Sequence, residues 1–321
     1  MFSINKLELK RVADESGYPK DSLEKSLRLA SILEFINHGP LRFERLALKG
    51  GTAIHFTVFP LLRLSVDIDL DLHQDIDRTT MLLKREQIAY MLKRYMTSEG
   101  YGLSERSRYS HSLDSFLFTY TNLSGNPENI KVEINYSNRC HILEPTQRVM
   151  SHRLLGDFSV LTLDVVELFA SKICALIDRT TPRDVYDVSH MLSEQIIDHD
   201  QWPLLRKCCV FYLALSLDER NFETAMTEMR RRMAAMDYFV IKKSLLPVLS
   251  KKELFDIAIE SERINLFMND LFRLSDTENQ FLEHFAKGIY HPEQLFDDVQ
   301  IIRRIVNHPM VLWKVQSKQS D

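Results

Sequence analysis

The residues from 46 to 73 constrain the fold of this chain more than any other stretch: LALKGGTAIHFTVFPLLRLSVDIDLDLH. They read as a short apolar strand, a Lys-Gly-Gly-Thr turn, an amphipathic helix that closes near Pro60, and a second strand carrying Asp67, Asp69 and Asp71. Alternate residues of a strand point to one face, so the sequence predicts that the three carboxylates stand together. Three like charges in a row repel one another unless a cation neutralises them, and the strand therefore predicts a bound cation.

The chemistry on either side of the helix indicates a nucleotide site. Carboxylate oxygens are hard ligands that suit Mg²⁺, which keeps some waters and takes its remaining ligands from substrate phosphates. Upstream, Gly50 and Gly51 let the backbone come close to a ligand, and they open a helix whose free N–H groups favour phosphate. Either feature alone is more often an ordinary turn or a solvated strand end. Their order, with Arg63 and Ser65 just before the carboxylates, favours the layout of a nucleotidyltransferase.

The same segment resembles the signature of polymerase-beta-type nucleotidyltransferases, specifically the abortive-infection toxins of the AbiEii/AbiGii family. In that family the pattern reads Gly-Gly-Thr/Ser, a helix, and then Arg-x-Ser-x-Asp-x-Asp, and this chain contains every part of it. The resemblance implies two metal ligands, Asp67 and Asp69. It also implies a set of nucleotide-binding residues ahead of them: Lys49, Gly50, Gly51, Thr52, Arg63 and Ser65.

Composition limits the partners of the protein. The 321 residues are enough to bury a large core in one or two domains. A net charge of −4 excludes a generally basic protein that coats nucleic acid, so contacts with nucleic acid must come from local patches. Such patches occur at 230–232, 242–243, 251–252 and 303–304, and the alternative for each is a solvated helix face.

The cysteines and the hydropathy predict a reducing, cytoplasmic setting. The four cysteines show no metal-binding spacing, and Cys208 and Cys209 are adjacent, which suits neither a zinc site nor an easy disulfide. The N-terminal residues carry charges throughout, unlike a signal peptide. No window reaches the run of about 18 apolar residues that a membrane span requires.

Periodicity predicts the elements around the central segment. Residues 1–20 read as an extended or weakly helical arm, 21–37 as a helix, and 79–99 as a helix that packs on the sheet. Residues 115–121 and 130–136 read as two strands joined by a turn-rich link, which is typical of a hairpin.

Glu133 lies on the polar face of the second hairpin strand and has two interpretations. In the first, Glu133 lies on the solvent-exposed face of a half-buried strand and has no further role. The second is a third metal ligand beside Asp67 and Asp69, because polymerase-beta-type enzymes often place such a carboxylate on a neighbouring strand. The residues alone leave both interpretations open.

From Asp164 to Gln316 the chain is predicted to be largely helical. Helix starts are indicated by the following cap patterns: Asp164 with Glu167, Thr181 with Pro182, Ser250 with Glu253, Ser275 with Glu278, and His291 with Pro292.

Lys172 lies in the middle of the apolar face of the first of these helices. An idle ammonium is unfavourable there, and three interpretations stay open. The side chain snorkels to water, or it is a cation that faces the active cleft and its phosphates, or it anchors a buried ion pair with Asp187. The phosphate-binding interpretation expects a Lys172→Met protein that folds stably and has lost most activity.

Asp184 and Asp187 fall beside apolar residues of the next helix and are predicted to face inward. An ordinary account assigns Asp184 to the helix dipole and Asp187 to an i,i+4 pair with Arg183. The lysine helix followed by Arg-Asp-Val-Tyr-Asp also resembles the second and third motifs of the family. That likeness implies phosphate binding by Lys172 and Arg183, and it implies that one aspartate, with Asp187 favoured, assists the acceptor or holds Lys172.

The predicted fold class is α/β (α+β). A polymerase-beta-like mixed sheet with flanking helices occupies a nucleotidyltransferase domain at 1–160, and a helical domain at 161–321 completes the active-site cleft. The implied function is Mg²⁺-dependent transfer of an NMP from an NTP to an acceptor hydroxyl, with an RNA such as tRNA as the leading acceptor. The resemblance also implies the toxin of a toxin–antitoxin or phage-defence pair, with an antitoxin as partner. Two alternatives stay open: a non-catalytic nucleotide- or partner-binding protein of this fold, and a nucleotidyltransferase that acts on a small molecule.

Overall fold

The structure is a computed structural model that describes residues 5–59, 63–152, 156–217 and 221–320. The chain divides into two compact units. The first unit comprises residues 1–139, 145–163 and 247–253, and the second comprises residues 140–144, 164–246 and 254–321. The predicted helix end near Pro60 lies outside the described residues. In the part of the chain that is described, no helix is long and apolar enough to cross a membrane.

The first unit begins with two helices, α1 (Lys6–Ser16) and α2 (Lys20–His38). Within the extended or weakly helical arm predicted over residues 1–20, residues 6–16 form a regular helix, α1. Asn5 caps α1 by accepting a hydrogen bond from the Leu7 amide, and Leu9 and Val12 form an apolar stripe that packs into a cluster with residues of α2. The helix predicted at 21–37 is confirmed as α2.

A mixed sheet forms the body of the first unit. Its strands are β1 (Leu46–Lys49), β2 (Asp67–Leu72), β3 (Gly102–Leu103), β4 (Arg108–Tyr109), β5 (Leu113–Thr121), β6 (Pro127–Asn135), β7 (Thr146–His152) and β8 (Gly156–Thr162). They lie in the order β3-β5-β6-β2-β1-β8-β7, and β4 also pairs with β5. β2 is antiparallel to β1 and parallel to β6, so it occupies the centre of the sheet.

Two helices accompany this sheet. Between β1 and β2 lies α3 (Gly50–Ala53), which continues into a π-helical turn at Ile54–Val58. After β2 the chain forms α4 (Arg78–Ser98), which confirms the helix predicted at 79–99. The second strand predicted in the central segment is β2, which starts at Asp67. Ahead of it, the Leu64 amide is hydrogen-bonded to the Val248 carbonyl at 2.7 Å, outside the sheet.

One face of the central strands is fully apolar. The register places Leu48 beside Leu70 and Leu70 beside Ile134, and all three side chains are buried. The apolar face removes these side chains from water and anchors the strands. Because strand residues alternate between faces, the opposite face presents Lys49 of β1, the three aspartates of β2, and Lys131 and Glu133 of β6.

The second unit is helical, as predicted. Its helices are α5 (Val165–Arg179), α6 (Pro182–Ser193), α7 (Trp202–Ser216), α8 (Phe222–Ala234), α9 (Tyr238–Ser244), α10 (Ile257–Leu271), α11 (Asp276–Ala286), α12 (Val299–Ile305) and α13 (Pro309–Ser320). The capping box of Ser275 and Glu278 is confirmed at the start of α11. Thr181 caps α6 with Pro182 in its first turn, also as predicted.

One predicted cap pattern was wrong, and another holds only in part. Ser250 does not start a helix: its hydroxyl donates to the Ser16 carbonyl within the first unit, and α10 begins later, capped by Asp256. Asp164 does cap α5, because its side chain accepts a hydrogen bond from the Val166 amide, but Glu167 does not close a box on it. The Glu167 carboxylate is buried and accepts hydrogen bonds from the backbone amides of Ile142 and Leu143, so it anchors the segment ahead of α5.

Candidate active site

The sheet register places the predicted carboxylates in rows on the polar face. Lys49 of β1 lies opposite Asp69 of β2, and Asp69 lies opposite Glu133 of β6. In the next row, Asp67 lies opposite Lys131. The interpretation of Glu133 as a neighbouring-strand carboxylate is therefore geometrically sound, because directly opposed strand residues lie within side-chain reach.

Asp71 lies on the same face but has a cation of its own. Its Oδ1 is 2.6 Å from Lys49 Nζ, and the aspartate is only 2% exposed. Burial alone would lower the pKa of Lys49, but the charges of Asp71, Asp69 and Glu133 outweigh burial and raise that pKa. The three aspartates thus share a face but not a role, since Lys49 neutralises Asp71 within the protein.

Asp69 is the electrostatic centre of the polar face. Burial raises its pKa; the negative charges of Asp67 and Glu133 act in the same direction, while Lys49 and Lys131 oppose it. Burial also acts to raise the pKa of Glu133, but hydrogen bonds with Lys131, Ser115 and Asp69 outweigh burial and lower that pKa.

Mg²⁺ fits this donor set. Asp69 and Glu133 lie opposite each other on neighbouring strands. Two carboxylates at such close range repel each other, and a divalent cation between them relieves that repulsion. Across the described segments, no group of three or more His, Cys, Asp or Glu side chains forms a ready-made metal cage. That is compatible with Mg²⁺, which takes part of its coordination shell from waters and substrate phosphates and does not need a cage made by the protein alone.

Lys131 is the site residue that sequence reasoning missed. Its Nζ lies 3.0 Å from Glu133 Oε2, and it lies opposite Asp67 in the adjacent strand. The sequence showed only that Lys131 and Glu133 share one face of their strand. Its place among the aspartates follows from the parallel pairing of β2 with β6, which is a long-range contact.

The two glycines of the turn are required by neighbours within the chain. Gly50 adopts a φ of +70°, and a Cβ at this position would lie 2.7 Å from Asp69 Oδ2. A Cβ on Gly51 would lie 2.6 Å from Arg63 Nη2. A side chain at Gly50 would therefore be strained by the positive φ as well as by Asp69, and one at Gly51 would have to displace the Arg63 guanidinium.

Buried polar residues fasten the turn to the carboxylate strand. The Thr52 hydroxyl lies 2.6 Å from the Ser65 hydroxyl and also contacts the Asp67 carbonyl. Thr52, Arg63 and Ser65 are all buried. The structure thus brings the Gly-Gly-Thr and Arg-x-Ser-x-Asp residues together, and these three buried residues pack against the turn and hold it beside the carboxylate strand.

A second cluster of predicted residues lies on α5 and α6. Lys172 Nζ lies 2.7 Å from Asp187 Oδ2 and 3.4 Å from Asp184 Oδ1. Lys172 is 6% exposed and both aspartates are fully buried. The snorkelling interpretation of Lys172 is therefore wrong. Its ammonium contacts carboxylates inside the unit, as the interpretation of an ion pair with Asp187 expected.

Asp184 is held ionised by two cations and a cap. Arg179 Nε and Nη2 both lie 2.8 Å from its carboxylate oxygens, and the Thr181 hydroxyl donates to Oδ2 at 2.6 Å. Burial alone would raise the pKa of Asp184, but the hydrogen bonds from Arg179 and the charge of Lys172 hold it well below its usual range. Arg183, predicted to bind phosphate, donates from Nε to the Ser244 carbonyl at 2.8 Å.

Comparisons with known proteins show the family and the fold of the chain. The family described as the nucleotidyl transferase AbiEii toxin of type IV toxin–antitoxin systems matches residues 39–276, a span that contains both clusters. Eight chains of solved structures match this chain. Among them is MenT4, a nucleotidyltransferase toxin from Mycobacterium tuberculosis, with a TM-score of 0.65 and 18% identity over 97% of this chain and 99% of that chain.

The structural match to MenT4 shows a shared fold, and the family match is more specific. No curated protein sequence matches the chain. The family span covers well over half of the 321 residues, from before the glycine turn to the first residue of α11. The protein is therefore a member of the AbiEii family of nucleotidyltransferase toxins of type IV toxin–antitoxin systems.

Proposed function

We propose that the protein is a Mg²⁺-dependent nucleotidyltransferase that transfers an NMP from an NTP to a hydroxyl group of an RNA such as tRNA. The acceptor oxygen forms a bond to the α-phosphorus, the bond from that phosphorus to the bridging oxygen breaks, and pyrophosphate leaves. The observation that carries the proposal is the row in which Asp69 lies between Lys49 and Glu133, directly beside Asp67 and the glycine turn.

In this proposal Asp67 and Asp69 hold Mg²⁺, and Glu133 is a third ligand. Mg²⁺ at such a site neutralises triphosphate charge and stabilises the attacking and leaving oxygens. The raised pKa of Asp69 supports the assignment, because a carboxyl group among other carboxylates gains most from a cation. Lys131 serves as the internal counter-charge of the row, through its 3.0 Å contact with Glu133.

The glycine turn receives the triphosphate. The backbone amides of Gly50, Gly51 and Thr52 open α3, and amides at such a position favour phosphate. Lys49 and the supporting residues Arg63 and Ser65 set the distance of the turn from the carboxylates.

The predicted residues of α5 and α6 also take part in the reaction. Lys172 provides a cation for the phosphates, Arg183 assists it, and Asp187 holds Lys172 in position. The 2.7 Å contact between Lys172 and Asp187 supports the positioning role, which is the one favoured for Asp187 from the sequence.

RNA is favoured as acceptor over a small molecule, and the family membership supports an antitoxin as a partner of the system. The test uses purified protein with each α-labelled NTP in turn, total cellular RNA and Mg²⁺. Labelled RNA and Mg²⁺-dependent pyrophosphate release support the proposal. Nucleotide binding without pyrophosphate release points to a non-catalytic binding protein, and pyrophosphate release without labelled RNA points to a small-molecule acceptor.

A further inference from the structure

Helix α9 exposes aromatic side chains that the core does not use. Tyr238 is 62% exposed and Phe239 is 76% exposed, and Val240 is exposed as well. The helix is held to the second unit by Ile241, which is buried. Asp237 caps it by accepting a hydrogen bond from the Val240 amide at 2.9 Å. An ordinary surface helix turns its large apolar residues inward, so neighbouring exposed rings indicate a binding function.

The same helix carries positive charge. Lys242 and Lys243 are exposed in its last turn. In a chain with a net charge of −4, such a concentration is suited to a polyanion. Not every basic residue nearby shares this role: Arg232 donates to the Thr180 hydroxyl at 3.0 Å and to the Ile177 carbonyl, so it is a structural tie.

The combination of residues favours RNA over protein as the occupant. Exposed aromatic rings next to cations are the usual platform for unpaired bases and their phosphates. Lysine is depleted at protein–protein interfaces relative to other surfaces, yet the last turn of α9 contains two lysines.

The α9 surface is connected to the second site cluster within the same unit. The carbonyl of Ser244, at the end of α9, accepts a hydrogen bond from Arg183 Nε at 2.8 Å. Arg183 precedes Asp184 in α6. Tyr238 lies six residues before Ser244, which is about 9 Å along the helix axis at 1.5 Å per residue.

We propose that α9 is a docking surface for the acceptor RNA, on which Tyr238 and Phe239 stack against unpaired bases while Lys242 and Lys243 contact phosphates. This inference rests on the proposed function for the identity of the RNA as an acceptor. It adds the surface that recognises the RNA outside the nucleotide site.

The test compares two double variants with matched controls. Tyr238→Ala/Phe239→Ala removes the rings, and Lys242→Gln/Lys243→Gln removes the charges; the aromatic control is Trp313→Ala on α13, where the indole is 59% exposed. The charge control is Lys287→Gln, an exposed lysine after α11. Binding of unfractionated tRNA is measured by fluorescence anisotropy at several salt concentrations. Melting temperature and calorimetric binding of a non-hydrolysable NTP are recorded for every variant.

The proposal expects roughly tenfold or greater loss of tRNA affinity for the aromatic variant. The lysine variant should reduce the slope of log affinity against log salt by about one to two. Both controls, the melting temperatures and the NTP affinity should match the wild type. Aromatic and lysine variants that bind tRNA as the wild type does would overturn the proposal, and so would a wild type that does not bind tRNA.

The transfer reaction separates this proposal from the proposed function. If the wild type labels RNA and the α9 variants label it equally well at limiting RNA, the docking surface is refuted while the function stands. If the wild type binds tRNA through α9 but labels no RNA, the function is refuted while the surface stands. Loss of an antitoxin contact in these variants, with RNA binding unchanged, would refute the RNA assignment.

Discussion

The substitution Lys172→Met isolates the role of the buried cluster on α5 and α6. The methionine keeps the length and apolar stem of the lysine but removes the ammonium. From the sequence alone, the phosphate-binding interpretation expected a stable and inactive variant. The structure changes that expectation, because Lys172 Nζ lies 2.7 Å from Asp187 and 3.4 Å from Asp184 in a nearly water-free setting.

The expected loss of stability follows from the contacts that each carboxylate keeps after the substitution. Asp184 keeps both hydrogen bonds from Arg179 and the one from Thr181, so it stays ionised and compensated. Asp187 loses the ammonium at 2.7 Å. Removing one partner of a buried ion pair costs about 3–5 kcal/mol, and we expect the lower end, about 3 kcal/mol. For a domain of 150–250 residues this corresponds to a fall in melting temperature of roughly 6–12 °C.

The assay pairs thermal melts with a double-mutant cycle. Lys172→Met/Asp187→Leu removes both charges and should recover most of the lost stability, because replacing a whole buried pair by apolar residues is often neutral or stabilising. Both proteins should lack transferase activity. The reasoning is refuted if Lys172→Met melts at or above the wild-type temperature, which would mean that the ammonium is not needed by Asp187.

Three further outcomes are expected. Gly51→Val should weaken binding of a non-hydrolysable NTP in calorimetry and lower the melting temperature. The reason is that the valine Cβ would lie 2.6 Å from Arg63 Nη2 and must displace it. Unchanged NTP affinity in a folded variant would mean that the turn does not bind phosphate. Lys131→Met should lower the melting temperature of the metal-free protein and increase the rise in melting temperature that added Mg²⁺ causes, since Glu133 loses the ammonium 3.0 Å away. An unchanged response to Mg²⁺ would contradict the role of Lys131 as counter-charge. Asp184→Asn should unfold with a lower free energy than the wild type, by a constant amount above about pH 5. This difference in stability should shrink below about pH 4, because the folded-state pKa of Asp184 is depressed and the stability that it provides is lost as the pH falls toward it. A difference that widens on acidification would contradict the ion-pair assignment.

The central segment was predictable because its chemistry is local. Aspartates that alternate with apolar residues are typical of a strand with one polar face, and the positive φ of Gly50 favours a glycine at the turn. The sequence thus predicted β1, β2 and the hairpin of β5 and β6, with errors only at their ends. The family resemblance based on these residues is confirmed by the family match.

Long-range pairing explains what could not be predicted. β7 and β8 were missed because their apolar alternation is short: Met150 is buried next to an exposed Val149, between mostly polar residues. The partner of Asp71 also depends on register, since Lys49 reaches it from the neighbouring strand. The same holds for Lys131. Its proximity to Glu133, two residues along the same strand, could be predicted from the sequence, but its proximity to Asp67 depends on the parallel pairing of β2 with β6.

The buried cations show a second limit of sequence reasoning. A helical projection placed Lys172 on an apolar face, and the inward orientation of Asp184 and Asp187 was predicted as well. The projection could not say that the two helices bring these groups within 3.4 Å. Whether an inward lysine is an idle cation or half of an ion pair depends on the packing of α5 against α6.

The most direct test of the central claim is transfer by a protein without the two metal-binding aspartates. Asp67→Asn/Asp69→Asn is compared with the wild type for Mg²⁺-dependent labelling of RNA from α-labelled NTP, together with a thermal melt of each protein. We predict a loss of at least about 100-fold in labelling, with a melting temperature equal to or slightly above that of the metal-free wild type because carboxylate repulsion is relieved. A folded double variant that labels RNA at the wild-type rate would contradict the assignment of the active site.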